Sequence, residues 1–159
     1  MRFLPVHDAV WRCNVMMNII LALVFSFTCT CGFGICFGIK PQELYLAGLG
    51  GIVTRIVLMI CEPAFPDRFV YTLIAATVAT VFAEIVGRKR NASIAKYLYP
   101  ALVLLIPGDV LYELIMAMIR TDQAVINAKL VLLVEGLAGI ALGCMIVPMV
   151  VRNIVKEPF

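Results

Sequence analysis

LIPGDVLYELI, Leu105 to Ile115, sets a proline, a glycine and two carboxylates within seven positions of an otherwise apolar run. Each is costly in a helix surrounded by hydrocarbon. Proline removes a backbone donor and clashes with the preceding turn. Glycine loosens the backbone. An ionised side chain at a helix centre costs about 2.5–3.5 kcal/mol on insertion scales. The rest of the chain decides whether this stretch lies in lipid at all.

Of the 159 residues, 63% are hydrophobic and 14% charged, and the mean hydropathy is +1.03. A soluble domain has about 45–50% apolar and about 25% charged residues. One modest core cannot bury the excess, so lipid is the solvent for much of the chain. The expected fold is an all-α integral membrane bundle, because helices satisfy their own backbone groups in a bilayer. The net charge of +3 sits in short clusters between apolar runs, with no basic stripe, which excludes a nucleic-acid surface. Six cysteines are present, but His7 is the sole histidine and lies apart from the Cys29–Cys36 group. These cysteines are expected to pack helices, and no metal or cofactor is expected.

Five spans follow. Residues 1–13 read as a short interfacial segment, with Trp11 and Arg12 suited to the membrane–water boundary. A single transmembrane domain covers 14–151, and 152–159 form a polar tail. Cys13 to Ile39 carries no charge and makes the first span, ending near Gly34-x-x-x-Gly38. The others are Leu44–Cys61, Phe69–Val86, Tyr97–Ile119 and Leu130–Val151. Ala75, Ala79, Ala83 and Gly87 recur every fourth residue on the third, and Gly139-x-x-x-Gly143 marks the fifth. Both are packing seams of small residues.

An odd number of spans puts the termini on opposite sides. Arg2, Arg12, Arg68, Arg120 and Lys129 fall on the amino-terminal side. Lys40, Arg88, Lys89, Arg90, Lys96, Arg152 and Lys156 fall on the other, which the positive-inside rule makes cytoplasmic. The amino terminus is then outside.

Five ionisable residues lie within spans: Arg55, Glu84, Asp109, Glu113 and Glu135. Glu84 is near a span end, within reach of the 88–90 basics. By a 1.5 Å rise, Arg55 lies roughly 4 Å, Asp109 roughly 1–2 Å, and Glu113 and Glu135 roughly 8 Å from their span midpoints, all in one half of the membrane. An internal ion pair of Arg55 with one acid accounts for part of this set. The remaining carboxylates call for a proton, an amine or water, as transport pathways do. Pro107 and Gly108 break the fourth span, and the new half-helix start carries partial positive charge. Asp109 then either caps that start or holds a proton or amine; Tyr112 and Glu113 share its cavity.

Three stretches carry a family resemblance. They are GFGICFGIKPQEL (Gly32–Leu44), GLGGIVTRIVLM (Gly48–Met59) and AEIVGRKR through YPALVLLIPGDVLY, with Pro100, Pro107, Gly108 and Tyr112 on a Pro-Gly-x3-Tyr pattern. The chain resembles the small, subunit-type member of the threonine/serine exporter family from about residue 20 to 150. It departs where Leu104 and Ser93 stand in place of family prolines. The resemblance implies proton-driven export of small polar amino acids, or of small carboxylates including dicarboxylates, across a bacterial cytoplasmic membrane. It also implies a larger membrane subunit of the same family as partner, beside the lipid bilayer itself and a homo-oligomer as a further option. Substrate binding is expected at Arg55, Pro107, Gly108, Asp109 and Tyr112, and proton coupling at Asp109, Glu113 and Glu135. A non-transporting assembly subunit is the alternative. An enzyme is a distant third, since no nucleophile–base pair is visible.

Overall fold

The computed structural model describes the backbone of residues 5–155, and side chains from 16 to 151 and at 153. The side chains of the 1–13 segment, Cys13 included, and most of the 152–159 tail lie outside the described residues. The described residues form six helices: α1 (Pro5–Cys36), α2 (Pro41–Ala64), α3 (Arg68–Arg90), α4 (Ala95–Val103), α5 (Gly108–Arg120) and α6 (Gln123–Val155). Within the described residues, α2, α3, α6 and the Met16–Cys36 part of α1 are long and apolar enough to cross a membrane. The pair α4–α5, bent by 51° at the break, is together long and apolar enough to count as a fifth, broken span. The expected five-span helical membrane bundle is present, and its fourth span is broken at the expected place.

Local chemistry sets the helix ends. Pro41 occupies the first turn of α2, where its missing N–H is not needed. Helix α3 ends in Arg88, Lys89 and Arg90, which complement the negative end of its dipole, and Asn91 closes it with φ 48°. Helix α1 stops at Cys36 and Gly38 takes φ +72°, a conformation glycine reaches without strain. Gly38 therefore lies beyond the helix, while Gly34 gives the close approach that the spacing suggests: a Cβ there would stand 2.8 Å from Leu44 Cδ1. Between α4 and α5 the N–H groups of Leu105 and Ile106 reach back only three residues, to Leu102 (2.9 Å) and Val103 (3.3 Å), tightening the turn before Pro107 interrupts it.

Helix α3 is the hub, packed against α2, α4 and α6, while α1 closes on α2 and α4. Small residues make this possible. Ala75, Ala79, Ala83 and Gly87 are buried along α3, as the four-residue spacing indicates. Gly139 and Gly143 of α6 lie on the α3 backbone: a Cβ at Gly143 would stand 2.7 Å from Ala76 Cβ and 2.8 Å from the Leu73 carbonyl. Any side chain there forces the helices apart. The buried threonines Thr30, Thr54 and Thr80 donate their hydroxyls to the carbonyls four residues back, at 2.7–2.8 Å, which satisfies them within their own helices.

Candidate functional site

The α3–α6 contacts run in register, Gly139 beside Thr72 and Gly143 beside Ala76, so the two helices are parallel. One turn outward of Gly139, Gly136 faces both the Arg68 side chain and Pro107 at 3.7 Å. Residues 123–135 of α6 therefore continue beyond the start of α3 by roughly 20 Å. Helix α5 packs chiefly on this extension, running back along it from the break. The first turns of α3 and α5 thus meet end to end. The break lies level with the α2–α3 turn, nearer one end of the bundle than the mid-depth that counting along the fourth span gives.

A cavity of about 240 Å³ opens where the two helix starts meet. Its charged lining is Arg55 and Glu62 from α2, Arg68 from α3 and Asp109 from α5, beside Pro107 and Tyr71. Arg68 is the organising side chain. Its Nη2 donates to Asp109 Oδ2 at 3.3 Å and its Nε donates to the Tyr71 hydroxyl at 2.7 Å. Its Nη1 is buried with no partner, as is Nε of Arg55. Neither helix start is capped by the side chain at its N-cap, Asp67 or Pro107. Two positive helix ends meet at a space lined by two guanidinium side chains, an arrangement that suits a carboxylate.

The residues singled out from the sequence separate into three groups. Arg55, Pro107 and Asp109 line this cavity, and Gly108 begins α5 beside it. Asp109 is ion-paired, but to Arg68, and its side chain is still 70% exposed. The internal pair of Arg55 with a carboxylate is not formed. Tyr112 and Glu113 line a second cleft, of about 300 Å³, toward the tip of the α5–α6 hairpin. There Glu113 is ion-paired to Lys129. Glu135 is exposed on α6 and lines neither space. Glu84 accepts from Arg88 Nε at 2.9 Å, as its place near the basic cluster indicates.

Arg68, Tyr71, Glu62 and Lys129 were not singled out by the sequence reading. Arg68 and Lys129 pass there as topology charges at span ends. One signal was present: Arg68 stands in the first turn of α3, where a cation opposes the helix dipole, and such a residue needs a carboxylate nearby.

Fold and cavity together define a polytopic helical membrane protein with a charged, solute-sized space at a broken span. The chain belongs to the threonine/serine exporter family, ThrE, whose pattern it matches over residues 22–150. No curated protein and no solved structure matches it.

Proposed function

We propose that the chain is a subunit of a secondary exporter of small polar amino acids, threonine and serine among them, and that the turn-end cavity holds the substrate. The observation that carries this reading is the pair of arginines, Arg55 and Arg68, that line one cavity and each keep a buried N–H without a partner in the protein. Glu62 and Asp109 supply two carboxylates to balance them. A space with two cations and two anions matches a zwitterion better than a dicarboxylate, whose second carboxylate would meet Glu62 or Asp109. At ~30 Å³ per water, the cavity has room for roughly eight waters, the scale of a small amino acid.

In this mechanism the substrate carboxylate docks at the start of α5 with Arg55 and Arg68. Asp109 then exchanges Arg68 for the substrate amine or a proton. Protonation shifts the balance between inward- and outward-open states by favouring the one in which Asp109 is unpaired. Glu113 and Glu135 are the further candidates for proton coupling; the Lys129 partner of Glu113 makes it the weaker. The chain sits in a bacterial cytoplasmic membrane with the amino terminus outside and the basic 88–96 loop in the cytoplasm, so the cavity opens outward. A larger membrane subunit of the same family completes the pathway, since five spans are few for alternating access.

Export of threonine from vesicles holding both chains tests this. Asp109→Asn and Arg55→Ala should each abolish export while leaving the amount of membrane-inserted protein unchanged. Full export by both variants sinks the site. No export by the unaltered chain, with or without the larger subunit, favours the assembly-subunit reading.

A further inference from the structure

We propose that the stripe of α6 bearing Glu135 is the docking surface for a second, different membrane chain, one that sets a lysine or arginine against the Glu135 carboxylate. The proposal rests on the two-part reading above and adds the surface and its chemistry.

Helix α6 is an edge helix. It meets α3 through Gly139 and Gly143, and α5 along its first half, and the rest of its circumference faces outward. At 3.6 residues per turn, Val131, Glu135, Leu142, Ile146 and Met149 fall on one stripe. All five are exposed. Four of them suit lipid, and Glu135 does not. It is the single charged residue between Leu130 and Val151, and among the described residues it has no ion-pair partner. Gly136, next to it, touches Arg68 and Pro107, which sets Glu135 level with the cavity but on the outer side of the helix.

A carboxylate on an otherwise apolar, outward-facing stripe of a spanning helix calls for a matching group. The helices packed against α6 do not provide one. Lys129 is taken by Glu113 and Arg68 by Asp109, and Arg55 faces the cavity from α2. A second copy fits poorly. Two copies joined by this stripe about an axis along the membrane normal would bring the two Glu135 carboxylates to the same depth, where like charges repel. A different chain with a cation at that depth both covers the apolar stripe and matches the charge.

The test uses the full chain co-expressed with a larger membrane protein of the same family. Val131→Cys and Leu142→Cys are placed singly in a background without other cysteines, with Phe25→Cys on the exposed face of α1 as control, and a photoreactive maleimide is attached. Both α6 positions should give adducts with the larger chain and position 25 should not. Glu135→Lys should reduce those adducts by about tenfold or more, and Glu135→Gln by less. Adducts only between copies of this chain, only with lipid, or equally from position 25 would overturn the proposal, as would adducts indifferent to Glu135→Lys. Threonine export is read from the same vesicles. Adducts without export leave the surface standing and sink the transport reading. Export without adducts does the reverse.

Discussion

The two ends of the bundle are built on opposite plans. At the α2–α3 turn, helix starts meet around a cavity whose arginines keep unpaired donors. At the α3–α4 loop, Tyr97 is fully buried against Ile39, Ala47 and Ala83, with Leu44, Val86 and Ile94 around them. Polar groups are present there too: Arg90 donates to the Tyr45 hydroxyl at 2.6 Å, and Glu84 is tied to Arg88. Glu84 is itself buried, and the Tyr97 hydroxyl and one carboxylate oxygen each of Glu43 and Glu84 are buried without a partner. Both ends bury polar groups without partners, but one leaves a cavity between them and the other packs them among apolar side chains. On the transport reading proposed above, an open end and a filled end are what alternating access calls for.

Substitutions at the two ends should therefore do different things. Tyr97→Ala has the largest expected effect. It removes the biggest fully buried side chain and should destabilise the fold by about 3–5 kcal/mol, seen as loss of folded protein in a thermal or detergent-resistance assay. Export per folded molecule should change far less. Arg68→Ala comes next. It should lower export on the order of a hundredfold, by leaving Asp109 unpaired and removing a substrate contact, with little loss of folded protein. Exchanging the two residues, Arg68→Asp with Asp109→Arg, should restore part of the loss. Tyr71→Phe is the smallest. It deletes one hydrogen bond to Arg68, worth about 1 kcal/mol, so export should fall roughly fivefold with stability nearly unchanged. The contrast breaks if Tyr97→Ala silences export in protein that remains folded, or if Arg68→Ala unfolds it.

How much of this is legible in the sequence depends on which force sets each feature. The spans are legible because hydrocarbon thickness fixes the length of an apolar run. The break at Pro107-Gly108 is legible because proline acts on its own backbone, whatever surrounds it. The seam at Gly139 and Gly143 follows from spacing alone. Partner choice is different. Asp109 pairs with Arg68 and not Arg55 because the starts of α3 and α5 meet, and that depends on how far α6 runs beyond α3. Hydropathy marks where a helix enters lipid, and says nothing of which neighbour ends beside it. The same limit makes Lys129 look like a topology charge when it is the partner of Glu113. Of Gly34-x-x-x-Gly38, only Gly34 meets a neighbouring helix closely, because the chain turns before Gly38.

The central claim is that the turn-end cavity holds the substrate. The most direct measurement is protection of a cysteine placed in it. Ile106→Cys lines the cavity and is half-exposed; Met118→Cys on α5 is exposed and outside it. Both are made without other cysteines, with the larger subunit present, and labelled by a polar maleimide with and without threonine. Threonine should slow labelling at position 106 and leave position 118 unchanged. Equal labelling at 106 with and without threonine, in vesicles that still export it, would place the substrate elsewhere.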